Sequence, residues 1–256
     1  MRARQRGATL IVVLVLLVAI TIIGTLAIRQ SMVALNIATN GQAQQLLMQN
    51  SDSVFFNTED ANNLIQSLGT NGMFGYISND INKDVELVFC YRGDQASFFD
   101  LNRASLIEWE RGKTAPTNNK LGLDGYCDVS ATDTNFFTSG RRAVITQVAV
   151  KFPSSSSSEI LSDLPEGGDP ELNKTQKIKR VSIYAVSLMP TLSTRTDAEI
   201  NTCLNSRMNQ VTIPNDIAAS IPANAVVRQS VTSCLSSINV PFTTLVTDYT
   251  IEQSFK

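Results

Sequence analysis

Residues 8–28 read ATLIVVLVLLVAITIIGTLAI, a stretch with no charged residue and no proline. As an α-helix, these roughly 21 residues would be about 31 Å long, close to the hydrocarbon thickness of a bilayer. A buried helix of a soluble protein explains the stretch less well, because such helices rarely run this far without a polar face. Arg2, Arg4 and Arg6 precede the stretch, and no charged residue follows before Arg29. This charge distribution predicts a cytoplasmic N-terminus and translocation of the remainder of the chain.

The apolar stretch does not have the features of a removable secretory signal. It is longer than the roughly 7–15 apolar residues of such signals. The bulky Ile28 and the charged Arg29 stand where a small-residue cleavage site would be expected. We therefore expect the helix to remain in the mature protein as a single-pass anchor.

The junction between the basic leader and the helix is Arg6-Gly7-Ala8-Thr9-Leu10. A short basic leader that ends in glycine and leads directly into an apolar helix resembles the class III signal of type IV pilins and type II secretion pseudopilins. The resemblance implies that a prepilin peptidase cuts between Gly7 and Ala8 on the cytoplasmic face, and that Ala8 is then N-methylated. Glycine suits such a cut because it leaves the backbone next to the helix unhindered. An ordinary uncleaved anchor is the alternative.

Position 12 departs from the usual pattern of that family. Most pilins carry glutamate at the fifth mature position, where it can pair with the N-terminal amine of a neighbouring subunit, whereas this chain carries Val12. A carboxylate inside a bilayer is costly unless it is paired, so its presence normally marks a function. In lacking it, and in its length of 256 residues, the chain is similar to PilX-type minor pilins and K-type pseudopilins, which are thought to sit at the filament tip. Alternatively, Val12 is one more apolar residue of the span.

The resemblance also implies a domain layout and a function. The layout is a leader at 1–7, a transmembrane half-helix at 8–28, a periplasmic half-helix at 29–57 and a globular periplasmic or extracellular domain at 58–256. The function is that of a minor pilin that initiates type IV pilus assembly and sits near the tip, supporting twitching motility, adhesion or DNA uptake. The implied partners are other minor pilins, a pilus-tip adhesin, the prepilin peptidase and the bacterial inner membrane.

Two other functions fit the same sequence features. One is the tip subunit of a type II secretion pseudopilus. The other is an uncleaved single-pass protein that acts as a periplasmic assembly factor or sensor.

The helix is predicted to continue beyond the span. Residues 30–51 carry no charge, and the spacing of Ile28 and Met32 fits one helical face, which we expect to continue to about residue 56. Neutral polar side chains can pack among neighbouring helices without the cost of desolvating a charge. Gly24 weakens a helix by about 1 kcal/mol relative to alanine. It therefore either loosens the span or allows close helix packing.

The remainder of the chain predicts an α+β domain with an antiparallel sheet. β-Branched and aromatic residues concentrate in segments of strand length. The predicted strands are 85–92, 105–110, 141–152, 178–188 and 243–255, and a short helix is predicted at 197–208. The polar connection between the third and fourth strands contains serines 154–158, which favours a solvated connector over a partner-binding loop.

Four cysteines in a translocated domain are expected to be oxidised. Three pairings exist, and we favour the sequential one, Cys90–Cys127 and Cys203–Cys234. Each of these disulfides closes a loop of about 30–40 residues and would contribute about 3–4 kcal/mol through loop entropy. A four-cysteine zinc site is disfavoured because the cysteines lack paired short spacings.

Composition argues against an enzyme and against a nucleic-acid-binding protein. The chain has no histidine, which is the commonest general base and zinc ligand. Glu108 and Glu110 have no nucleophile at an informative spacing, so we expect neither a catalytic residue nor a cofactor. The formal net charge of -2 predicts no general attraction to nucleic acid. Basic residues at 174–180 are interpreted as the solvated start of a strand rather than a DNA contact.

Two local patterns resemble ligand sites only in part. Gly112 opens a Gly-Lys-Thr tripeptide like the end of a phosphate-binding loop, but Ile107 stands where the first glycine of that motif belongs. Asp128, Asp133 and Asn135 carry oxygen atoms of the kind that bind calcium, but they miss the EF-hand spacing. We therefore predict no metal site, and calcium binding stays an open alternative.

Overall fold

The computed structural model describes residues 8–78, 82, 84–92, 95, 97–131, 137–138, 143–153 and 179–251. The chain divides into two compact units, Met1–Gln45 and Leu46–Lys256. A helix at Ala8–Glu59 forms the described part of the first unit and contributes its last turns to the second. The second unit also contains a five-stranded antiparallel sheet. The predicted α+β fold with a long N-terminal helix is therefore confirmed.

The five strands, the N-terminal helix and the helix near residue 197 follow the predicted order, and the described residues contain four further short α-helices that were not predicted. The α-helices are α1 (Ala8–Glu59), α2 (Ala61–Leu68), α3 (Met73–Ile77), α4 (Asp197–Ser206), α5 (Asn215–Ala218) and α6 (Val231–Ser237). The strands are β1 (Glu86–Tyr91), β2 (Ala104–Ile107), β3 (Ile145–Lys151), β4 (Lys179–Leu188) and β5 (Phe242–Ile251). The second strand is shorter than predicted because its pairing with β1 ends at Glu86 and Ile107.

Capping residues determine two of the helix boundaries. α1 is followed by Asp60, whose side chain accepts hydrogen bonds from the backbone N–H groups of Asn62 and Asn63 and so begins α2. α4 begins with a capping box, in which Thr196 and Glu199 each accept a hydrogen bond from the other's backbone N–H group. These local signals determine where α2 and α4 begin.

The sheet has the strand order β2-β1-β3-β4-β5, and every pair is antiparallel. All seven residues of the central strand β3 are buried. Both faces of this strand are therefore buried, rather than one buried and one exposed. This arrangement requires a packed layer on each side of the sheet.

Helices α1 and α3 cover one face of the sheet. Val54 and Phe55 of α1 and Met73 of α3 form one apolar cluster with Val148 and Ile183 from the two central strands. The opposite face is covered by α4 and α6 and by the segments that flank them. Their buried residues form two further clusters with the sheet, one around the cysteines and one around the single tryptophan. Both clusters exclude water from the side of the sheet that α1 does not reach.

Candidate assembly helix and its anchorage

The first unit presents an apolar helix with no protein cover of its own. An 18-residue window of α1 has a mean hydropathy of 3.1 and is 0% buried, and it is the one helix among the described residues that is long and apolar enough to cross a membrane. The hydroxyls of Thr21 and Thr25 donate to the carbonyls of Val18 and Ile22, each at 2.8 Å. The two hydroxyls are thereby satisfied within the helix, as lipid requires. This half of α1 is suited to lipid or to the helices of neighbouring subunits.

The positions that the sequence singled out in this region lie as follows. Gly7 is outside the described residues, and Ala8 is the first residue of α1. Val12 is 57% exposed and lies on the open surface of the apolar half. No heavy atom of the described residues lies within 4 Å of a Cβ built at Gly24, so no contact within that part of the chain requires glycine there. Leader cleavage, methylation and the role of Gly24 stay predictions.

The last turns of α1 pack into the second unit along one buried stripe. Leu47, Ser51, Val54, Phe55 and Thr58 are each 9% exposed or less. Their spacing is that of one helical face. Because two of the five carry hydroxyls, apolar periodicity alone does not reveal the stripe. The stripe seats α1 against the central strands.

A chain of three buried hydroxyls connects this stripe to the sheet. Ser51 Oγ donates to Ser187 Oγ of β4 at 2.7 Å, and the Ser187 and Thr146 hydroxyls lie 2.8 Å apart across β3 and β4. All three side chains are 0% exposed. Rotating or sliding α1 would leave buried hydroxyls without partners, at a cost of about 1–3 kcal/mol for each unsatisfied group. The hydroxyl chain therefore selects one register between helix and sheet.

Further polar contacts flank the hydroxyl chain along α1. Asn57 Nδ2 donates to the Tyr91 hydroxyl of β1 at 3.0 Å. The Tyr249 hydroxyl of β5 donates to Glu59 Oε1 at 2.9 Å, and burial together with this carboxylate raises the pKa of Tyr249. The end of α1 thus forms hydrogen bonds to β1, next to one edge of the sheet, and to β5, at the other edge. A load applied to this part of the helix would be shared by several strands.

A buried charged pair lies at one end of the sheet. Glu86 of β1 and Lys151 of β3 are register partners, and both are 0% exposed. Burial raises the pKa of Glu86, and the charge of Lys151 opposes that shift. Burial lowers the pKa of Lys151, and Glu86 opposes that shift. Neither charge could remain buried at low cost without the other.

The charged pair also fixes the backbone segment that follows α4. Glu86 accepts hydrogen bonds from the backbone N–H groups of Asn209, at 2.7 Å, and Gln210, at 2.8 Å. Lys151 Nζ donates to the Gln210 carbonyl at 2.9 Å and to the Thr212 hydroxyl. These bonds satisfy both charged groups, as burial requires. They also hold the segment against the sheet, where it closes the cluster around Trp109.

Both disulfides form on the face of the sheet opposite α1. Cys90 of β1 bonds to Cys127, with 4.9 Å between Cα atoms, and Cys203 of α4 bonds to Cys234 of α6, with 5.6 Å. This is the sequential pairing that the sequence favoured, and none of the four cysteines is free to bind zinc. The second disulfide joins the two helices that cover this face. The first joins the sheet to the loop beside them.

Polar contacts hold the loop after Cys127 against α4. Gln147 of β3 accepts a hydrogen bond from the Cys127 N–H at 3.1 Å and donates to the Leu204 carbonyl at 2.9 Å. Asp128 Oδ1 accepts from Asn201 Nδ2 at 2.6 Å. Burial would raise the pKa of Asp128, but its hydrogen bonds, including two from Ser130, lower the pKa overall. Asp128 is therefore a hydrogen-bond acceptor in this loop.

Other candidate sites that the sequence raised do not assemble within the described residues. Glu108 and Glu110 each form an ion pair with Lys120. Trp109 Nε1 donates to the Lys113 carbonyl at 2.7 Å, which closes a turn that no described helix follows, unlike a phosphate-binding loop. No cluster of three or more metal-ligating side chains occurs in the described part of the chain. Asp133, Asn135 and the basic residues 174–178 lie outside it.

Sequence reasoning missed the hydroxyl chain and the Glu86–Lys151 pair. The available signal for the pair was one charged residue at the start of β1, Glu86, and one at the end of β3, Lys151, in strands that are otherwise uncharged. For the hydroxyl chain there was none, because serine and threonine are common in exposed positions of strands and helices.

The comparisons with known proteins bear on the N-terminal segment. Residues 6–56 match the model of the PilX N-terminal family. Neither the curated proteins nor the solved structures contain a match to the chain. The matched residues include the leader junction, the exposed apolar helix and most of the buried stripe of α1. The similarity to the PilX N-terminal family is therefore shown for residues 6–56 of the chain.

Proposed function

We propose that this chain is a minor pilin that initiates type IV pilus assembly and sits at or near the pilus tip with other minor pilins. The observation that carries the proposal is the fully exposed apolar half of α1, within a segment that matches the PilX N-terminal family. Such a helix is stable in the inner membrane before assembly and among the apolar helices of neighbouring subunits afterwards. When the helix moves from the membrane into the filament, it exchanges one apolar environment for another, so little of its apolar surface is exposed to water.

The leader and Val12 support the more specific parts of the proposal. Removal of residues 1–7 would eliminate the basic leader and leave Ala8 as the N-terminus of α1. Val12 offers no carboxylate to the amine of an incoming subunit. A subunit of that kind can begin a filament without being received by a subunit ahead of it. A pilus-tip adhesin and other minor pilins are the partners that such a position implies.

The anchorage of α1 supports a mechanical role for the second unit. The hydroxyl chain and the buried stripe join the last turns of α1 to the central strands. Force on the helix during extension or retraction would therefore reach the sheet through buried contacts. Adhesion, twitching motility or DNA uptake would follow from what the head contacts.

The first experiment is the intact mass of the membrane-extracted protein, with and without prepilin peptidase. We expect the mature chain to lack residues 1–7 and to carry one added methyl group on Ala8, and both changes should depend on the peptidase. Gly7→Val should retain the leader in peptidase-active cells, because a β-branched side chain hinders the bond next to the helix. An intact leader on the wild-type chain in peptidase-active cells would contradict the proposal and support an uncleaved anchor.

A second experiment separates the pilus from the secretion pseudopilus. Deleting the gene should remove surface pili, and complementation should restore them. Immunolabelling should place the chain at filament ends. Loss of type II secretion with unchanged pili would instead identify a pseudopilus subunit. Labelling along the whole filament would refute the tip position.

A further inference from the structure

A cavity of about 360 Å³ opens between the α2–α3 connection and the loop that precedes β2. The carboxamide side chains of Asn63, Gln66 and Asn71 line it. Two aromatic side chains, Phe98 and Phe99, line it as well. No charged side chain is among the described residues that form it. Its size falls within the range of small-molecule sites in proteins.

The cavity is built on a rigid frame. Gly72 and Gly75 pack so tightly that an added Cβ would lie 2.2 Å and 2.0 Å, respectively, from a backbone carbonyl oxygen. The rings of Phe98 and Phe99 each make an edge contact with the ring of Phe89 on β1, with centroids 5.6 Å and 5.2 Å apart. A site that is already formed loses little conformational entropy when it binds a ligand.

The polar groups of the cavity are available to a ligand. Asn63 Nδ2 donates to the Asn57 carbonyl at 2.9 Å, and this bond orients the Asn63 carboxamide. The Gln66 and Asn71 carboxamides make no hydrogen bond to another described residue. A carboxamide offers one acceptor and two donors, so it can bond to a hydroxyl in either direction. Aromatic rings offer apolar contact surface beside these groups.

We propose that this cavity binds a neutral sugar residue of a glycan. A pyranose ring carries hydroxyls that both donate and accept, and it has an apolar C–H face. The carboxamides bond to the hydroxyls and the phenylalanine rings contact the C–H face. Because no charged side chain is among the described residues that line the cavity, anionic sugars gain no partner from them and lose hydration. The site would give the head a glycan contact of its own, independent of how the helix assembles.

Saturation-transfer NMR on the full-length chain tests this site. The probes are D-glucose, D-galactose and N-acetyl-D-glucosamine, with glucose 6-phosphate as the anionic comparison. The detergent should be lauryldimethylamine oxide, because maltoside and glucoside detergents carry sugar head groups that would occupy the site. We expect saturation transfer to at least one neutral sugar, and no tighter binding of the phosphate ester.

Two variants and a matched control locate the binding. Gln66→Leu and Asn71→Leu replace exposed carboxamides, and each should weaken binding about tenfold, as expected for a lost hydrogen bond to a ligand. Asn119→Leu replaces an exposed amide outside the cavity and should bind as the wild type does. Unchanged circular dichroism would show that all three variants are folded.

The outcomes decide for or against the site. Binding that is about tenfold weaker in Gln66→Leu and in Asn71→Leu but unchanged in Asn119→Leu establishes it. Absence of transfer to every neutral sugar overturns it, as does equal binding by all variants or tighter binding of glucose 6-phosphate. These results do not depend on leader processing, so the failure of either proposal leaves the other standing.

Discussion

Replacing Lys151 by methionine tests the buried pair that holds the segment after α4. Lys151→Met keeps the length of the side chain but removes its charge and its bonds to Gln210 and Thr212. Glu86 then remains fully buried without its counter-charge. Leaving a buried charge without its compensating charge costs about 3–5 kcal/mol, so we expect the free energy of unfolding to fall by that amount.

A double-mutant cycle isolates the contribution of the pair. Glu86→Gln in the Lys151→Met background removes the unpaired charge, and we expect the double variant to lie within about 1–2 kcal/mol of the wild type. Denaturant unfolding of the full chain in detergent provides the free energies. Trp109, the one tryptophan of the chain, is a suitable probe because the segment after α4 packs in its cluster. If the two single effects simply add in the double variant, the pair is not coupled and the reasoning is wrong.

The same pair predicts two changes of stability with pH, and its contribution to stability should be lowest between them. Burial raises the pKa of Glu86, against the effects of Lys151 and of its N–H donors, so the folded state binds this proton more tightly than the unfolded state. Stability should therefore fall as pH rises from the unfolded pKa of Glu86 to its raised folded pKa. Burial lowers the pKa of Lys151, so stability should rise as pH rises from that lowered value to the unfolded pKa near 10.5. Both changes should disappear in the double variant.

Three further predictions concern the rest of the second unit. Val54→Ala should lower the free energy of unfolding by about 2 kcal/mol because Val54 is fully buried, whereas Phe56→Ala, at a position 77% exposed, should change it by less than about 0.5 kcal/mol. Comparable losses in denaturant unfolding would contradict the buried stripe. The double variant Cys203→Ala with Cys234→Ala should lose about 3.7 kcal/mol, from a sequence separation of 31 residues. Because reduction also breaks Cys90–Cys127, the reduced wild type should match the reduced double variant, and a mismatch would mean that the alanines act by other means. Burial alone would raise the pKa of Asp128, but its hydrogen bonds lower the pKa overall. The stabilising contribution of Asp128 should therefore be lost as pH falls through that lowered pKa. Asp128→Asn should remove this acid-side loss, which an unchanged pH profile would disprove.

Local patterns in the sequence were sufficient to predict the five strands and the helices α1 and α4, but not the shorter helices α2, α3, α5 and α6. The apolar span predicted the exposed half of α1, and β-branched segments predicted all five strands to within a few residues at most described ends. Cysteine spacing favoured the pairing that the structure contains. Each of these inferences depends on hydrophobicity, propensity or loop length within one stretch of chain. Such terms act locally and can be read without knowledge of distant partners.

Only the tertiary structure decided which polar residues became buried partners. Ser51 bonds to Ser187 across 136 positions of sequence, and the Glu86 carboxylate meets the Asn209 N–H across 123. Nothing in the immediate surroundings of these residues distinguishes them from solvated polar side chains. Their burial follows from two layers closing on both faces of the sheet, which removes water and makes every unpaired polar group costly. The sequence by itself determined the long apolar helix and the strands; the packing of the two layers determined the hydroxyl chain, the charged pair and the cavity beside α2.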